Sequence, residues 1–230
     1  MCGRYSLTTP PDAMRDLFDF SNHPNLAPRF NIAPTQSAPV VRPANDAEGR
    51  EMVSLRWGLI PAWAKDLSVG AKTINARSET VAEKPSFRQA YRQRRCLVPA
   101  DGYFEWENRP GGKQPWRVCQ YDGKPFAMAG LWENWNGPDG PVESFTIITT
   151  AALPSVSTIH HRMPVILPPD RYEVWLDRTA AVQDIAALLI PPPDLALKCY
   201  RVDKRVGNVR NDDASLLEPV PEGPEQPLLL

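Results

Sequence analysis

Short amphipathic stretches follow one another along this chain, and their period switches between helical and strand-like. From Thr9 to Phe18, apolar residues recur one helical turn apart behind a cap residue and a proline pair, which predicts a short amphipathic helix. Ser78 to Arg95 predicts a longer helix that is disturbed at Pro85. Two more helices are predicted around Tyr172 and around Val182. The chain should therefore contain little long helix.

Strand-like runs fill most of the remaining sequence. They cover residues 52–60, 96–106, 115–121, 125–132, 144–150, 164–167 and 197–202. Residues 27–43 predict an irregular surface segment followed by an edge strand, and Gly111-Gly112 and Asp122-Gly123 have the composition of hairpin turns. Because strands and helices mix without regular βαβ alternation, the pattern predicts an α+β fold: a curved, mostly antiparallel, barrel-like β core flanked by short helices.

The length and composition of the chain indicate how many domains it forms. A chain of 230 residues is long enough to bury a real core, and its 26 prolines, about twice the usual share, agree with many short elements joined by fixed turns. We predict a single domain over residues 1–217 and a flexible tail over residues 218–230, where Pro, Glu and Gly dominate.

Charge and cysteine usage narrow the functional classes. The net charge is −1, so any contact with nucleic acid must come from a local patch. The four cysteines form no CxxC pair, only three histidines occur and no phosphate-binding glycine motif is present, so neither a metal nor a cofactor is expected. No apolar run resembles a signal peptide or reaches membrane-spanning length, which predicts a cytoplasmic protein without a membrane partner.

The main candidate for chemistry is Cys2. A small second residue permits removal of Met1, which would place an α-amine and a thiol on adjacent carbons. An α-amine has a pKa of about 7.7–8.0, against about 10.4 for a lysine side chain, so more of it is neutral and nucleophilic at pH 7. The amine can form an imine with an aldehyde, and the thiol can then close onto the imine carbon as a thiazolidine. Gly3 leaves room for a polymer backbone to approach.

A cysteine at position 2 is more often a small residue at a frayed end, so this chemistry needs polar partners. Asn75 and Arg77 would share one face of an extended segment. Glu105 lies among aromatic residues, which would tend to raise its pKa. His160, in a His-His-Arg loop, could exchange protons near neutral pH. Each also has an ordinary interpretation: an Asn turn with a surface Arg, a solvent-facing carboxylate and a structural loop.

Six motifs occur in order along the chain. They are Met1-Cys2-Gly3-Arg4-Tyr5, Asn31-Ile32-Ala33-Pro34, Trp57-Gly58-Leu59-Ile60-Pro61, Asn75-Ala76-Arg77, Gly102-Tyr103-Phe104-Glu105-Trp106 and Ile159-His160-His161-Arg162-Met163-Pro164. With these motifs in register, the chain resembles the SOS response-associated peptidase (SRAP) family over nearly its whole length, excluding the tail. The resemblance implies a single α+β domain that binds single-stranded DNA and crosslinks to abasic sites through its terminal cysteine.

The resemblance also implies residue roles. Cys2 is the nucleophile, Asn75 positions its amine, Glu105 handles protons, and His160 assists opening of the sugar or release. The implied DNA contacts are Arg4, Arg77 and Arg162 on phosphates, Thr149 on the backbone, and Pro34 and Trp63 against bases. Ala64 departs from the pattern, because a second tandem aromatic can stand there. His161 is a variable position to which we assign no role.

Several functional alternatives stay open. The leading hypothesis is a covalent shield for abasic sites in single-stranded DNA, with weak lyase activity at most, for which a monomer suffices. The protein would then associate with the nucleoid when it is bound to DNA. A thiol autopeptidase that uses Cys2, and a non-covalent single-strand binder, are the competing hypotheses. The basic run from Arg88 to Arg95 is either a solvated helix end or an auxiliary DNA contact.

Overall fold

Thirteen strands and five short α-helices form within the described residues, 2–44, 49–192 and 195–221 of a computed structural model. The strands are β1 (Tyr5–Leu7), β2 (Arg29–Ile32), β3 (Ser37–Pro43), β4 (Arg50–Trp57), β5 (Asn75–Arg77), β6 (Arg95–Ala100), β7 (Gly102–Arg109), β8 (Gly112–Gln120), β9 (Phe126–Gly137), β10 (Gly140–Ala151), β11 (Arg162–Pro164), β12 (Ile166–Leu167) and β13 (Leu197–Arg201). The helices are α1 (Pro11–Phe18), α2 (Arg88–Gln93), α3 (Pro154–Ser157), α4 (Tyr172–Leu176) and α5 (Val182–Ala187).

Five of the strands close into a barrel. Their hydrogen-bonded order is β10, β4, β3, β6 and β9, and β9 pairs with β10 again. Neighbours in this ring are antiparallel except β4 and β10, which are parallel. The short strand β5 adds in parallel to β10, and β11 and β12 pair with β10 and β9. The predicted α+β fold with a curved, mostly antiparallel, barrel-like core is therefore confirmed.

Aromatic packing marks the place where the barrel closes. Trp57, at the end of β4, stacks on Phe145 of β10 with ring centroids 6.2 Å apart, and it forms an edge-to-face contact with Tyr5 at 5.2 Å. Its indole Nε1 donates to the carbonyl of Ile74, just before β5. A single buried tryptophan thus ties the closing strands of the barrel to the strand that carries Asn75.

A second, five-stranded antiparallel sheet lies beside the barrel in the order β13, β8, β7, β1, β2. Tyr5 of β1 pairs with Tyr103 of β7, and both side chains belong to the same hydrophobic cluster as the barrel core. The amino-terminal strand is therefore an interior strand of this sheet. Because β1 pairs with β7, the chain start lies next to the strand that carries Glu105.

The structure corrects two predicted elements. The helix expected from Ser78 to Arg95 is wrong over its first half, since turns precede α2, which begins at Arg88. Pro85 explains this, because proline removes a donor and restricts the residue before it. The run 96–106 is two strands, β6 and β7, which belong to different sheets and are separated by Asp101.

Two predictions about connections are also revised. The strand expected at an edge, β3, is interior, because it pairs with both β4 and β6. Gly111-Gly112 does lie at a hairpin turn, since Arg109 pairs with Gly112, whereas Asp122-Gly123 links strands of different sheets. Most of the predicted tail, residues 222–230, lies outside the described residues, and the 1–217 boundary stays a prediction. Within the described chain, no helix is long and apolar enough to cross a membrane.

Candidate active site

Cys2 lies at the junction between the barrel and the second sheet. Its side chain is fully buried, and its carbonyl accepts a 2.8 Å hydrogen bond from Nδ2 of Asn75. Asn75 begins β5, and its register opposite Ile147 of β10 fixes where its amide points. The structure therefore brings the predicted nucleophile and the predicted positioning amide into direct contact.

Glu105 reaches the same place from β7. Its carboxyl is almost fully buried, and burial raises its pKa above the usual value of 4.5. Burial also raises the pKa of the Cys2 thiol, and the nearby Glu105 carboxylate raises it further. At neutral pH the thiol is consequently a neutral S–H group. An amine on Cys2, rather than the thiol, would be the first nucleophile available.

His160 follows α3 and is held by its own loop. Its Nδ1 lies 3.0 Å from the backbone nitrogen of Arg162 and 3.1 Å from the carbonyl oxygen of that residue, and its ring stacks on His161 at 4.4 Å. Burial lowers the pKa of His160, so the imidazole is mainly neutral near pH 7. The ring is thus fixed in orientation and suited to accept a proton.

A cavity of about 440 Å³ brings Glu105 and His160 together. It is lined by Arg4, Glu105, Trp106, Asn108, Lys113, His160 and Gly207. Glu105 and His160, which lie far apart in sequence, thus face one space next to the chain start. Trp106, Lys113 and Gly207 were not predicted as site residues, although Trp106 belongs to the aromatic motif of β7.

Arg4 is less free than the predicted phosphate contact implies. Its Nη1 donates to Oδ1 of Asn31 at 2.8 Å and to the carbonyl of Val206 at 2.7 Å, and its guanidinium lies 5.7 Å from the ring centroid of Trp106. Asn31 in turn donates from Nδ2 to the carbonyls of Val206, Asn208 and Asn211. Arg4 therefore lines the cavity from a fixed position, with Asn31 as its unpredicted anchor.

The predicted contacts Arg77, Thr149 and Arg162 form a second group. Thr149 of β10 pairs with Arg77 of β5, and its carbonyl accepts a 2.5 Å hydrogen bond from Nη2 of Arg162. Arg77 is exposed, whereas Arg162 is mostly covered and forms an ion pair with Glu79. These three residues thus lie together, and Glu79 is a partner that the sequence analysis missed.

Pro34 and Trp63 lie on separate loops. The Trp63 side chain is 62% exposed, and its Nε1 lies 3.5 Å from the carbonyl of Pro85. Pro34 is half-buried in the turn between β2 and β3. Ala64, where a second aromatic can stand, is buried, and its carbonyl accepts from Trp135. One exposed aromatic therefore remains as a stacking surface in this loop.

The basic run at the end of α2 is mostly structural. Arg95 is buried and donates to backbone carbonyls of Trp175, Tyr91, Arg92 and Asp177. Arg94 forms an ion pair with Glu133. Only Arg88 and Arg92 of the predicted cluster remain exposed. In the described ranges, no group of three or more His, Cys, Asp or Glu side chains is placed to hold a metal ion.

Comparison with known proteins identifies the family of this chain. The family model described as SOS response associated peptidase (SRAP) matches residues 1–209. The chain is 39% identical to the abasic site processing protein YoqW of Bacillus subtilis, over 95% of this chain and 99% of that protein. It is 35% identical to the abasic site processing protein HMCES of Gallus gallus, over 85% of this chain and 67% of that protein. A crystal structure of a protein from Bacteroides thetaiotaomicron superposes with a TM-score of 0.85 at 27% identity, covering 95% of this chain and 100% of that one. Its motifs, its fold and these likenesses together show that the chain belongs to the SRAP family.

Proposed function

We propose that this protein processes abasic sites in single-stranded DNA by forming a covalent crosslink through Cys2 after removal of Met1. The observation that carries the proposal is the meeting of three groups: Cys2 is buried against the Asn75 amide and is electrostatically coupled to Glu105. Relatives that bear the name abasic site processing protein support the same substrate. The electrophile is the aldehyde of the ring-opened abasic sugar.

The chemistry proceeds in two bond-forming stages. The Cys2 amine adds to the aldehyde carbon, and the resulting carbinolamine loses water to give an imine. The thiol sulfur then adds to the imine carbon, its proton ends on the nitrogen, and a thiazolidine ring closes. Because burial keeps the thiol protonated until then, amine attack precedes sulfur attack.

Three side chains support these steps. Asn75 orients the first residue, as its bond to the Cys2 carbonyl illustrates. Glu105 takes and returns protons during imine formation and ring closure, and its raised pKa brings it closer to working pH. His160 faces the cavity with Glu105 and assists opening of the sugar or release.

The DNA strand contacts a few cations rather than a broad basic face. Arg4, Arg77 and Arg162 bind phosphates, Thr149 contacts the backbone, and Pro34 and Trp63 pack against bases. The exposed face of Trp63 suits stacking on any base. A monomer suffices for this chemistry, and we place the protein in the cytoplasm, on the nucleoid when DNA is bound.

Two further activities use the same groups. Imine chemistry permits strand scission, but rapid ring closure competes with it, so lyase activity should be weak. The family description as a peptidase favours autocatalytic release of Met1 by Cys2, Glu105 and His160 as a second candidate. Intact-mass measurement of a Glu105→Gln variant tests the peptidase: retained Met1 supports it, and normal removal of Met1 shows that Glu105 is not needed for this step, which a methionine aminopeptidase can also perform.

The central experiment is denaturing electrophoresis after mixing the protein with abasic and intact oligonucleotides. The native chain should give a denaturant-resistant adduct with the abasic strand alone, and Cys2→Ala should give none. Cys199→Ala is the matched control, because Cys199 is a free, partly exposed thiol elsewhere on the surface. An adduct that survives Cys2→Ala would refute the assignment, and equal reversible binding to both strands would favour a non-covalent binder.

A further inference from the structure

Arg162 makes a contact that phosphate binding does not explain. Its Nη1 lies 2.5 Å from Oε1 of Glu79, and its Nη2 lies 3.0 Å from Oε2. Nη2 also donates to the carbonyl of Thr149. The two terminal nitrogens that would grip a phosphate are therefore already occupied by a carboxylate.

The geometry identifies Glu79 as the movable partner. A carboxylate offers two oxygens to the guanidinium fork much as a phosphate does, so the two anions compete for the same donors. The Arg162 side chain is 12% exposed, whereas that of Glu79 is 52% exposed on the turn after β5. Thr149 can keep Arg162 in place while the exposed acid rotates into solvent.

We propose that Glu79 is a specificity-determining residue: it occupies the phosphate site of Arg162 in the DNA-free protein, and a backbone phosphate of the bound strand replaces it. This inference rests on the proposed function. A free phosphate ion would bind to Arg162 alone, and it would have to displace a Glu79 carboxylate that is tethered beside the arginine. A phosphate within a strand also brings its neighbouring phosphates to Arg77, which lies beside Thr149, so replacement favours continuous single strands over isolated phosphates.

Protonation of Glu79 does not free Arg162 at physiological pH. Hydrogen bonding to Arg162 lowers the pKa of Glu79 to about 2, so the carboxylate is charged at any pH at which the protein works. The other charged or titratable side chains near the pair are Arg77, which is exposed, and the stacked rings of His160 and His161. His160 contacts the main chain of Arg162. Replacement by another anion is thus the route that frees the arginine.

The test measures reversible binding to an intact single-stranded oligonucleotide, in a Cys2→Ala background, by fluorescence anisotropy at several salt concentrations. Glu79→Gln keeps the size of the side chain and removes its charge. We expect the dissociation constant to fall by about threefold, and the slope of log K against log salt to steepen by about 0.7, because Arg162 then neutralises a phosphate without an opposing carboxylate.

Controls separate this effect from a general change in charge. Glu83→Gln removes an exposed carboxylate from the same turn and should change affinity less than Glu79→Gln does. Adding Arg162→Ala should abolish the gain, and inorganic phosphate should inhibit the Glu79→Gln protein more than its parent. Unchanged or weaker binding by Glu79→Gln, or a gain that persists without Arg162, would overturn the inference. A missing crosslink on abasic DNA would instead refute the proposed function and leave this measurement interpretable.

Discussion

At the scale of single residues, burial explains the order of the proposed chemistry. Cys2 and Glu105 are both buried, and burial raises the pKa of each above its usual value. A thiol held as S–H is a poor nucleophile, so the amine must act first and sulfur second. In the proposed mechanism, the Glu105 carboxyl with its raised pKa moves protons between these stages.

Replacing Glu105 should therefore change the pH dependence of crosslinking. In the native protein the rate should fall as pH falls through the pKa of Glu105, which lies above 4.5. Glu105→Gln should lower the rate on the order of a hundredfold and remove the part of the acidic limb that follows this carboxyl, leaving the part that follows protonation of the amine. Single-turnover crosslinking measured across the pH range checks both effects, and an unchanged limb in the variant would assign it to another group.

The stability of the same variant distinguishes a chemical effect from misfolding. A carboxyl whose folded-state pKa is raised stabilises the fold below its unfolded pKa, and this contribution is lost as pH rises through the folded pKa. At pH 7 the buried, charged carboxylate therefore lowers the free energy of unfolding. Glu105→Gln should have a thermal midpoint at pH 7 at least as high as that of the native protein. A clearly lower midpoint would attribute slow crosslinking to structural damage.

The structure brings Cys2 to Asn75 and Glu105 to His160, but their roles stay predictions, and the sequence did not indicate which residues hold them in place. The predicted catalytic residues lie in short motifs, in which a few consecutive residues suffice to suggest the chemistry. They are Cys2, Asn75, Glu105 and His160. Asn31 lies in a motif too, yet its partner Val206 is 175 residues away. No local pattern encodes such a contact, because it depends on how the carboxy-terminal segment returns across β2.

At the scale of elements, local propensity predicted strands and short helices well where period and turn chemistry agreed. It failed between Ser78 and Arg88, where a helical spacing of apolar residues is overridden by Pro85 and by turns. It also failed at Asp101, whose carboxylate accepts hydrogen bonds from Thr8 and Thr9 and marks the passage between the two sheets. The first failure has a local cause, whereas the second involves contacts that only the folded chain provides.

The Asn31 side chain attaches residues 206–211 to β2, alongside Asp212, which binds Arg29 and the backbone of β2. Asn31→Ala should remove its three bonds to backbone carbonyls and the acceptor of Arg4, and so lower the free energy of unfolding by about 2–4 kcal/mol. Urea denaturation measures the loss, and hydrogen exchange should show faster exchange near Val206. Asn134→Ala, at an exposed position, should cost less than about 0.5 kcal/mol; equal costs would contradict this role.

At the scale of the whole molecule, the sequence predicted a curved, barrel-like sheet but not the strand pairing that closes the barrel. Alternating runs and turns indicate a curved sheet, whereas the parallel pairing of β4 with β10 joins strands far apart in the chain. That pairing covers two residues of β4, Arg56 and Trp57, and continues through the Gly58 N–H, which donates to the carbonyl of Phe145 at 2.8 Å. Closure therefore depends on a glycine that no periodicity singles out.

Gly58 allows two backbone segments to approach each other at the closing seam. Its φ is +116°, and a Cβ there would lie 2.4 Å from the carbonyl oxygen of Gly70. Gly58→Ala must therefore move either the seam or the loop between these glycines, which carries Trp63. We expect it to lower the free energy of unfolding by about 3 kcal/mol or more and to weaken binding to single-stranded DNA.

Gly111 is the control position that separates the effect of the close Gly58–Gly70 contact from the effect of backbone strain. Its φ is +87°, yet a Cβ there would meet nothing within 4 Å, so Gly111→Ala should cost only about 1–2 kcal/mol. Urea denaturation of both variants measures the difference, and DNA affinity should fall for Gly58→Ala alone, because only that loop carries Trp63. If both substitutions cost the same and neither affects binding, the contact between Gly58 and Gly70 does not hold the barrel and the stacking loop together.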